Sequence, residues 1–507
     1  MFHEESDCGL TLSQFSIMSS IKAEATRGVM WISLANYSGV MISIIISAIL
    51  ARNISPAAFG TIAVATVIMV FLDTLSDFGI GPAIIQFKTL NKSHISSLFS
   101  FTLLLGLFLG LTLFGLATPL ARYYSDSDLT EVCHWLSLSV LFKAANIVPN
   151  SLVMKAKKFK YVAIRNVTIQ LCFGILAALA AINGAGIYAL LIAPVLSAPA
   201  QMIINMRLFP IVPKLKIDWE VFRTIGDFSL FQFLFGLINY FARNIDTLLI
   251  GKYLSMTQLG YYDKAYRLML LPLNNITRVI TPVLHPLLSS FQNDLVSLAD
   301  KNNRLTYFMA SISFPIGLIC FFCGGEAITL LYGNNWEEAI PVFQILALSI
   351  PLQMIQSTSG TIYQSAGNTR LLFLGGVINT VCALTTFLIA VLSFKTIESV
   401  AWAWVITLCI NFISTYFLLN RYVLNYPLVK FIRGFIPQII NSTIVCCILI
   451  FSNPFLPKGI IQAFIVKILI ILSGTIVMGK ILKQYDIKEI VRSISNKIPI
   501  FSKLTKL

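Results

Sequence analysis

Apolar runs long enough to build helices of about 20 residues, the length needed to cross a bilayer, recur from one end of this chain to the other. "VMISIIISAIL" (40–50), "FTLLLGLFLGLTLFGLA" (101–117) and "IVKILIILSGTIVM" (465–478) lie at the centres of three of them. No other feature narrows the fold as far. Lipid offers no water to the backbone, so a spanning segment must be a helix or part of a closed barrel. Barrel strands would read as short alternating segments, and these runs are continuous. The chain is therefore expected to be an all-α polytopic membrane protein. Composition agrees: 57% of residues are hydrophobic and 12% charged, against about 25% charged in a soluble domain. Mean hydropathy is +0.81. One large soluble core would need polar outer faces on most helices, and the sequence has none to offer. About 14 spans are expected, starting near residues 28, 58, 95, 128, 161, 185, 225, 258, 304, 336, 370, 398, 431 and 459. Those near 128 and 336 begin as amphipathic stretches.

The net charge of +15 is unevenly spread. With the N-terminus in the cytoplasm, "KAKKFK" (155–160), "KLK" (214–216), "RYVLNYPLVKFIR" (421–433) and the C-terminal tail fall on one side. About 26 of the 37 Lys and Arg then face the cytoplasm and about 5 face outward, a strong positive-inside bias. The basic balance thus points to topology and anionic lipid headgroups rather than nucleic acid. Both termini are expected in the cytoplasm. Residues 1–26 are polar and carry no signal-peptide core. Met18 opens a short polar lead into the first span, so residues 1–17 are expected to be dispensable. The tail from 481 on is basic and partly amphipathic, either solvated or docked on the membrane surface.

Several motifs lead nowhere. "GTIVMGK" (474–480) has the phosphate-loop spacing, but Ile481 follows where Ser or Thr should hold magnesium, and no strand precedes it. "CFFC" (320–323) sits in an apolar span without redox context. All nine Cys are read as core residues. The four His form no ligand pattern, so neither a metal nor a cofactor is expected. "GLFLG" (106–110) is a G-x-x-x-G, read as close helix packing within the bundle.

A repeat organises the chain. "ARNISPAAFG" (51–60) and "GKYLSMTQLG" (251–260) share the pattern small, Lys/Arg, any, aliphatic, Ser, three of any kind, aromatic or aliphatic, Gly. The register continues: Ala65 with Ala265, Met69 with Met269, Ile80 with Ile280, Pro82 with Pro282. "CHWLSLSV" (133–140) matches "FQILALSI" (343–350) more loosely. About six spans separate the copies. Six is even, so the repeats are parallel and related by an axis along the membrane normal. The expected organisation is a cytoplasmic segment (1–27), a six-helix lobe (28–210), a second (219–422), two extra helices (428–482) and a basic cytoplasmic tail (483–507).

"ISPAAFGTIAVATVIMVFLDTLSDFGIGPAIIQ" (54–86) and "NYFARNIDTLLIGKYLSMTQLGYYDKAYRLMLLPLNNI" (239–276) resemble the corresponding segments of bacterial polysaccharide flippases. These form the polysaccharide-synthesis branch of the superfamily that also holds the MATE exporters and the lipid II flippases. The resemblance runs from about residue 18 to 480. It implies a V-shaped pair of lobes around a central cavity. It also implies an undecaprenyl-diphosphate-linked oligosaccharide as substrate, moved outward across the bacterial inner membrane, with the polymerase and glycosyltransferases of polysaccharide assembly as possible partners.

A charge inside a span costs at least about 2.5–3.5 kcal/mol, so each needs a reason. Arg243 and Asp246 lie near the outer end of one helix. Asp263, Lys264 and Arg267 lie near the start of the next. By helical rise Arg243 and Lys264 share a depth of about 10 Å below the connector, with Arg267 a turn deeper. The first repeat has Val64 and Val67 in place of Lys264 and Arg267. A diphosphate suits such a cationic patch, because Arg presents a planar donor fork to phosphate oxygens. Internal pairing of Arg243 with Asp246 and of Asp263 with Arg267 is the alternative. Tyr240 and Tyr266 are candidates for stacking on sugar, and Tyr261 and Tyr262 for an interfacial belt. In the first lobe, Asp77 is expected to cap the irregular "SDFGIGP" (76–82). Asp73, deeper and within reach of Lys143, is the candidate carboxylate if transport is ion-coupled. The reading is a flippase, not an enzyme. The alternative is a cation-coupled exporter of small molecules, which would favour acidic and aromatic walls. A polymerase or ligase would need a larger outer loop than any here.

Overall fold

The computed structural model describes residues 34–214, 218, 220–289 and 294–481. The segment expected over 1–27, the start at Met18 and the tail over 483–507 lie outside the described residues. Every regular element among those described is a helix. The first are α1 (Leu34–Asn53), α2 (Pro56–Asp77), α3 (Ile80–Gln86), α4 (Lys92–Tyr124), α5 (Asp128–Lys155), α6 (Phe159–Ile182) and α7 (Ile187–Leu208). Two long helices follow, α8 (Glu220–Tyr253) and α9 (Met256–Ser289). Then come α10 (Leu295–Phe322), α11 (Gly324–Tyr332), α12 (Ala339–Ala347), α13 (Ile350–Gln356), α14 (Ser359–Ser365), α15 (Thr369–Ile389) and α16 (Ile397–Leu418). Short π-helical turns extend α15 to Phe394 and α16 to Val423. α17 (Leu428–Arg433), α18 (Ile436–Ser452) and α19 (Ile460–Ile481) complete the chain.

Among the described residues, eleven helices are long and apolar enough to cross a membrane, and the bent pair Ala339–Ala347 with Ile350–Ser365 makes up to twelve. The two further spans expected from the sequence are α8 and α9, each 34 residues long but rich in charge. The expected span near 336 is the broken one, bent by 42°. Pro351, at the second position of α13, has no N–H to continue the ladder back to Ala347. Its ring lies where a Cβ on Gly317 of α10 would come within 3.0 Å.

The chain divides into two compact units at Asn244/Ile245, inside α8. In the first, α4 packs along α5. A Cβ on Gly106 would stand 2.5 Å from the Ala144 Cβ, and one on Gly110 would stand 2.9 Å from the Ser137 carbonyl. The G-x-x-x-G is therefore a close-packing seam inside this unit. Gly79, at φ 73°, closes the break between α2 and α3, and a Cβ there would meet the Ser229 backbone of α8 at 2.6 Å. Both its torsion and its contact require glycine.

The connectors that opened the repeat are built alike. Ser55 caps α2 by accepting from the Ala58 N–H, and Ser255 caps α9 by accepting from the Gln258 N–H. Ile54 N–H closes the helix before one break onto Leu50 O, and Leu254 N–H closes the other onto Ile250 O. In the second unit, α18 and α19 are anchored to α10 by a cluster of Cys323, Val445, Leu449 and Ile471. The Cys reading needs one correction. Cys133 and Cys323 are buried, but Cys172 and Cys447 are exposed. In lipid an apolar residue gains nothing by turning inward, so apolarity does not predict burial in a membrane helix. Cys8 lies outside the described residues.

Candidate functional site

In the first unit, Asp73 projects from the fifth turn of α2 toward α5, where the Lys143 ammonium donates to its Oδ2 at 2.8 Å. The two side chains are 28% and 34% exposed. Lys143 also contacts the Met69 sulfur at 3.5 Å. The Asp73 Oδ1 is buried without a hydrogen-bond partner. One turn on, Asp77 Oδ1 accepts from the Gly81 N–H at 2.9 Å and so caps α3. The Asp73–Lys143 pair and the Asp77 cap are the contacts expected from sequence. Tyr240 is buried against Phe71, ring centroids 5.2 Å apart. Arg243 is exposed and forms no ion pair among the described residues.

In the second unit, Asp246 is buried and accepts from the Tyr262 hydroxyl at 2.8 Å and from the Thr247 N–H at 2.7 Å. Arg267 gives its Nε to both oxygens of Asp263, at 2.9 and 2.7 Å. That leaves both Nη groups for another acceptor, on a side chain 58% exposed. Lys264 points the other way. It is buried, and its ammonium lies over the Tyr332 ring, 5.4 Å from the centroid, a cation–π contact. Tyr266 stacks on Tyr262 and meets Trp404 edge-on, at 6.0 and 5.4 Å. Tyr261 packs on Trp336 at 5.8 Å. The five charged candidates thus divide. Arg243 and Arg267 are exposed, Asp263 is part-buried in its pair with Arg267, and Asp246 and Lys264 are buried inside the second unit with Tyr partners.

Sequence reasoning missed Tyr332 and Trp404, which carry no signal beyond being aromatic. It also missed two buried charges that the cost of a membrane charge should have flagged. Arg165 of α6 is buried among the carboxamides of Asn150, Asn166 and Asn205. Lys467, the one charge in "IIQAFIVKILIILSG", pairs with Glu326 of α11.

A family profile described as "Polysaccharide biosynthesis protein" matches residues 49–341. The chain is 24% identical over 416 residues to the teichuronic acid biosynthesis protein TuaB of Bacillus subtilis, covering 81% of this chain and 84% of that one. It is 24% identical over 373 residues to the lipopolysaccharide biosynthesis protein WzxC of Escherichia coli, covering 71% and 74%. Among solved structures, the lipid II flippase MurJ in an inward closed conformation superposes with a TM-score of 0.72 at 17% identity, over 89% of this chain and 98% of that one. At that identity the likeness concerns the fold, and the fold is the one MurJ has.

Proposed function

Because the chain belongs to the polysaccharide biosynthesis protein family, we propose that it moves a lipid-linked oligosaccharide from the cytoplasmic to the outer leaflet of a bacterial inner membrane, for assembly of a surface polysaccharide. The family match carries the reading. It is supported by relatives named for teichuronic acid and lipopolysaccharide biosynthesis that align over most of their length, and by a fold shared with a protein named as a lipid flippase. The work is translocation by alternating access, which makes and breaks no bond, so the protein is a transporter and not an enzyme. Both termini lie in the cytoplasm, where the basic segments meet anionic headgroups. The halves over 28–210 and 219–422 are internal repeats, with the helices over 428–482 added to them.

In the second unit the substrate's diphosphate is taken by Arg267, the exposed cation of that patch; Arg243, in the first unit, is a separate exposed cation that also contacts phosphate. Arg267 is aimed by its bond to Asp263, and Lys264 lies behind, held by Tyr332. Tyr266, part-buried, serves the sugar end, whereas Tyr240 is buried against Phe71 and does not stack on sugar. Asp73 with Lys143 is the place where an ion would couple. The charge argument favours this substrate over small cations, because two exposed guanidinium groups attract phosphate and repel a cation. Membrane lipids surround the protein, and the polymerase and glycosyltransferases of the same polysaccharide act before and after it.

The test is a strain lacking the gene. Loss of surface polysaccharide, with lipid-linked repeat units accumulating where externally added glycosidase cannot reach them, is the expected result, restored by the wild-type gene. Normal polysaccharide with new sensitivity to cationic drugs would overturn the reading in favour of a small-molecule exporter.

A further inference from the structure

The core of the second unit holds carboxamides whose hydrogen bonds are not all made. On α10, Asn302 accepts from the Thr306 hydroxyl at 3.3 Å, but its Nδ2 has no partner among the described residues. Asn303, beside it, has none at Nδ2 or at Oδ1. In the π-helical turn that extends α16, Asn420 gives its Nδ2 to the Tyr416 carbonyl at 2.9 Å, and its Oδ1 is left over. The three side chains are 0%, 4% and 0% exposed, so bulk solvent does not serve these atoms. A buried polar atom without a partner carries the full cost of its desolvation, so each needs an explanation.

Packing brings the three together. The Tyr416 hydroxyl donates to the Ile355 carbonyl at 3.0 Å and lies within bonding reach of the Thr306 and Thr358 hydroxyls. Three crossings separate the start of α10 from the start of α16, so the two helices run in opposite senses. One turn before Thr306 on α10 therefore faces one turn after Tyr416 on α16. Asn302 and Asn303 stand at the first place, Asn420 at the second. A single hydrophobic cluster closes around them, joining Leu298 and Ala299 of α10 to Leu419 and Val423 of the π-helical turn. By helical periodicity Thr306 and Ala299 lie between the two α10 carboxamides, and both are short.

The kinds of atom say what binds there. The amides of Asn302 and Asn303 are donors, and the oxygens of Asn303 and Asn420 are acceptors. Asn303 supplies both kinds whichever way its carboxamide is turned. A cation would suit the oxygens and be repelled by the amides, an anion the reverse, and an apolar group would serve neither. Water donates and accepts alike, and a buried water commonly makes about three such bonds. Ordered water is also one of the means by which polar groups at irregular turns are satisfied at membrane depth. We infer that ordered water is bound between α10 and the π-helical turn of α16, held by Asn302, Asn303 and Asn420. The three carboxamides thus bond across the helices without bonding to one another. The site involves none of the residues proposed for substrate, so it stands or falls apart from the transport reading.

The test exposes the full chain in nanodiscs to short X-ray pulses, which split water into hydroxyl radicals wherever water lies, bound water included. Mass spectrometry then locates the oxidised side chains. A parallel sample receives the same radicals from hydrogen peroxide split by a laser in bulk solution. Tyr416 is 1% exposed, and bulk radicals reach a buried ring only when the structure opens, so X-rays should oxidise it at least about tenfold faster than peroxide does. Each rate is taken relative to exposed Tyr422, and buried Phe387 should stay unlabelled in both samples. Joining Asn302→Leu, Asn303→Leu and Asn420→Leu should bring the X-ray rate at Tyr416 down to the peroxide rate. Equal rates at wild-type Tyr416 in the two samples, or undiminished X-ray labelling in the triple variant, would overturn the inference. The wild-type ratio decides alone if the triple variant does not fold.

Discussion

Lys143 reaches the sulfur of Met69 at 3.5 Å and the carboxylate of Asp73 at 2.8 Å, and 200 residues after Met69 the sulfur of Met269 accepts from Gln353 at 3.3 Å. Lys143 and Gln353 stand ten residues past Cys133 and Phe343, which open the two loosely matching octapeptides. The same register pairs Thr61 with Asp126 in one unit and Tyr261 with Trp336 in the other. Corresponding positions of the two units therefore carry comparable contacts, with different chemistry in each. One carries an ion pair where the other carries an amide.

The first expectation follows from that difference. Asp73→Asn or Lys143→Met alone leaves one charge unmatched within a span. The pair is about a third exposed, so the cost falls between that of surface and buried pairs, about 1–3 kcal/mol. Joining Asp73→Asn to Lys143→Gln copies the amide of the second unit and should recover most of the stability. Thermal unfolding in detergent measures it. A double variant no better than the worse single would show that the pairing is not what stabilises.

The α4–α5 seam supplies a second. Gly106→Ala forces a methyl group against Ala144 and should destabilise by about 1–3 kcal/mol through overpacking. Gly115→Ala, on the same helix, meets nothing within 4 Å and should be neutral. Membrane abundance and unfolding temperature for the two variants separate packing from any general intolerance of Ala in α4.

The exposed cations give a third. Arg243→Gln should remove a charge-assisted contact worth about 1.5–3 kcal/mol, one to two powers of ten in affinity for a diphosphate carrier lipid. Arg267→Gln would strand Asp263, so the informative variant is Arg267→Gln with Asp263→Asn. Lys264→Met should act differently, lowering stability through the lost Tyr332 contact. The readout is glycan export at matched protein levels. Wild-type export from both Arg variants would leave the diphosphate without its proposed partners.

A fourth concerns the entry to α10. Asp294 caps that helix, its carboxylate accepting from the Ser297 hydroxyl at 2.6 Å and from the Ser297 N–H at 3.1 Å. The Ser297 side-chain bond, then the backbone bonds, hold its pKa below that of a free carboxylate. A depressed folded pKa stabilises above the unfolded value, and the contribution is lost as pH falls through the folded one. The cap should therefore be constant from neutral pH down to about pH 5 and fade only in stronger acid. Asp294→Ala should speed amide exchange in the first turn of α10 at neutral pH, and Asp294→Asn should largely preserve protection. Equal exchange in all three proteins would dismiss the cap.

The sequence by itself determined the class of fold, because spanning lipid forces the backbone into helices and the apolar runs mark where. It also determined the local contacts. The Asp263–Arg267 pair, the Asp77 cap on α3 and the glycine seam at 106 and 110 all follow from helical periodicity over a few residues. The reach from Asp73 to Lys143 was legible across 70 positions because the depths of two neighbouring spans can be counted from their connectors. What only the tertiary structure decided is which face of each helix turns toward which neighbour. Periodicity places Lys264 beside Arg267, but packing sends Lys264 inward over Tyr332 and leaves Arg267 outside. Lys467 and Glu326, 141 residues apart, meet only because α19 docks on α10 and α11. In lipid an apolar face is equally content against chains or against protein, so hydrophobic pattern does not orient a helix. Its rotation is set by shape and by the few polar groups that must find one another.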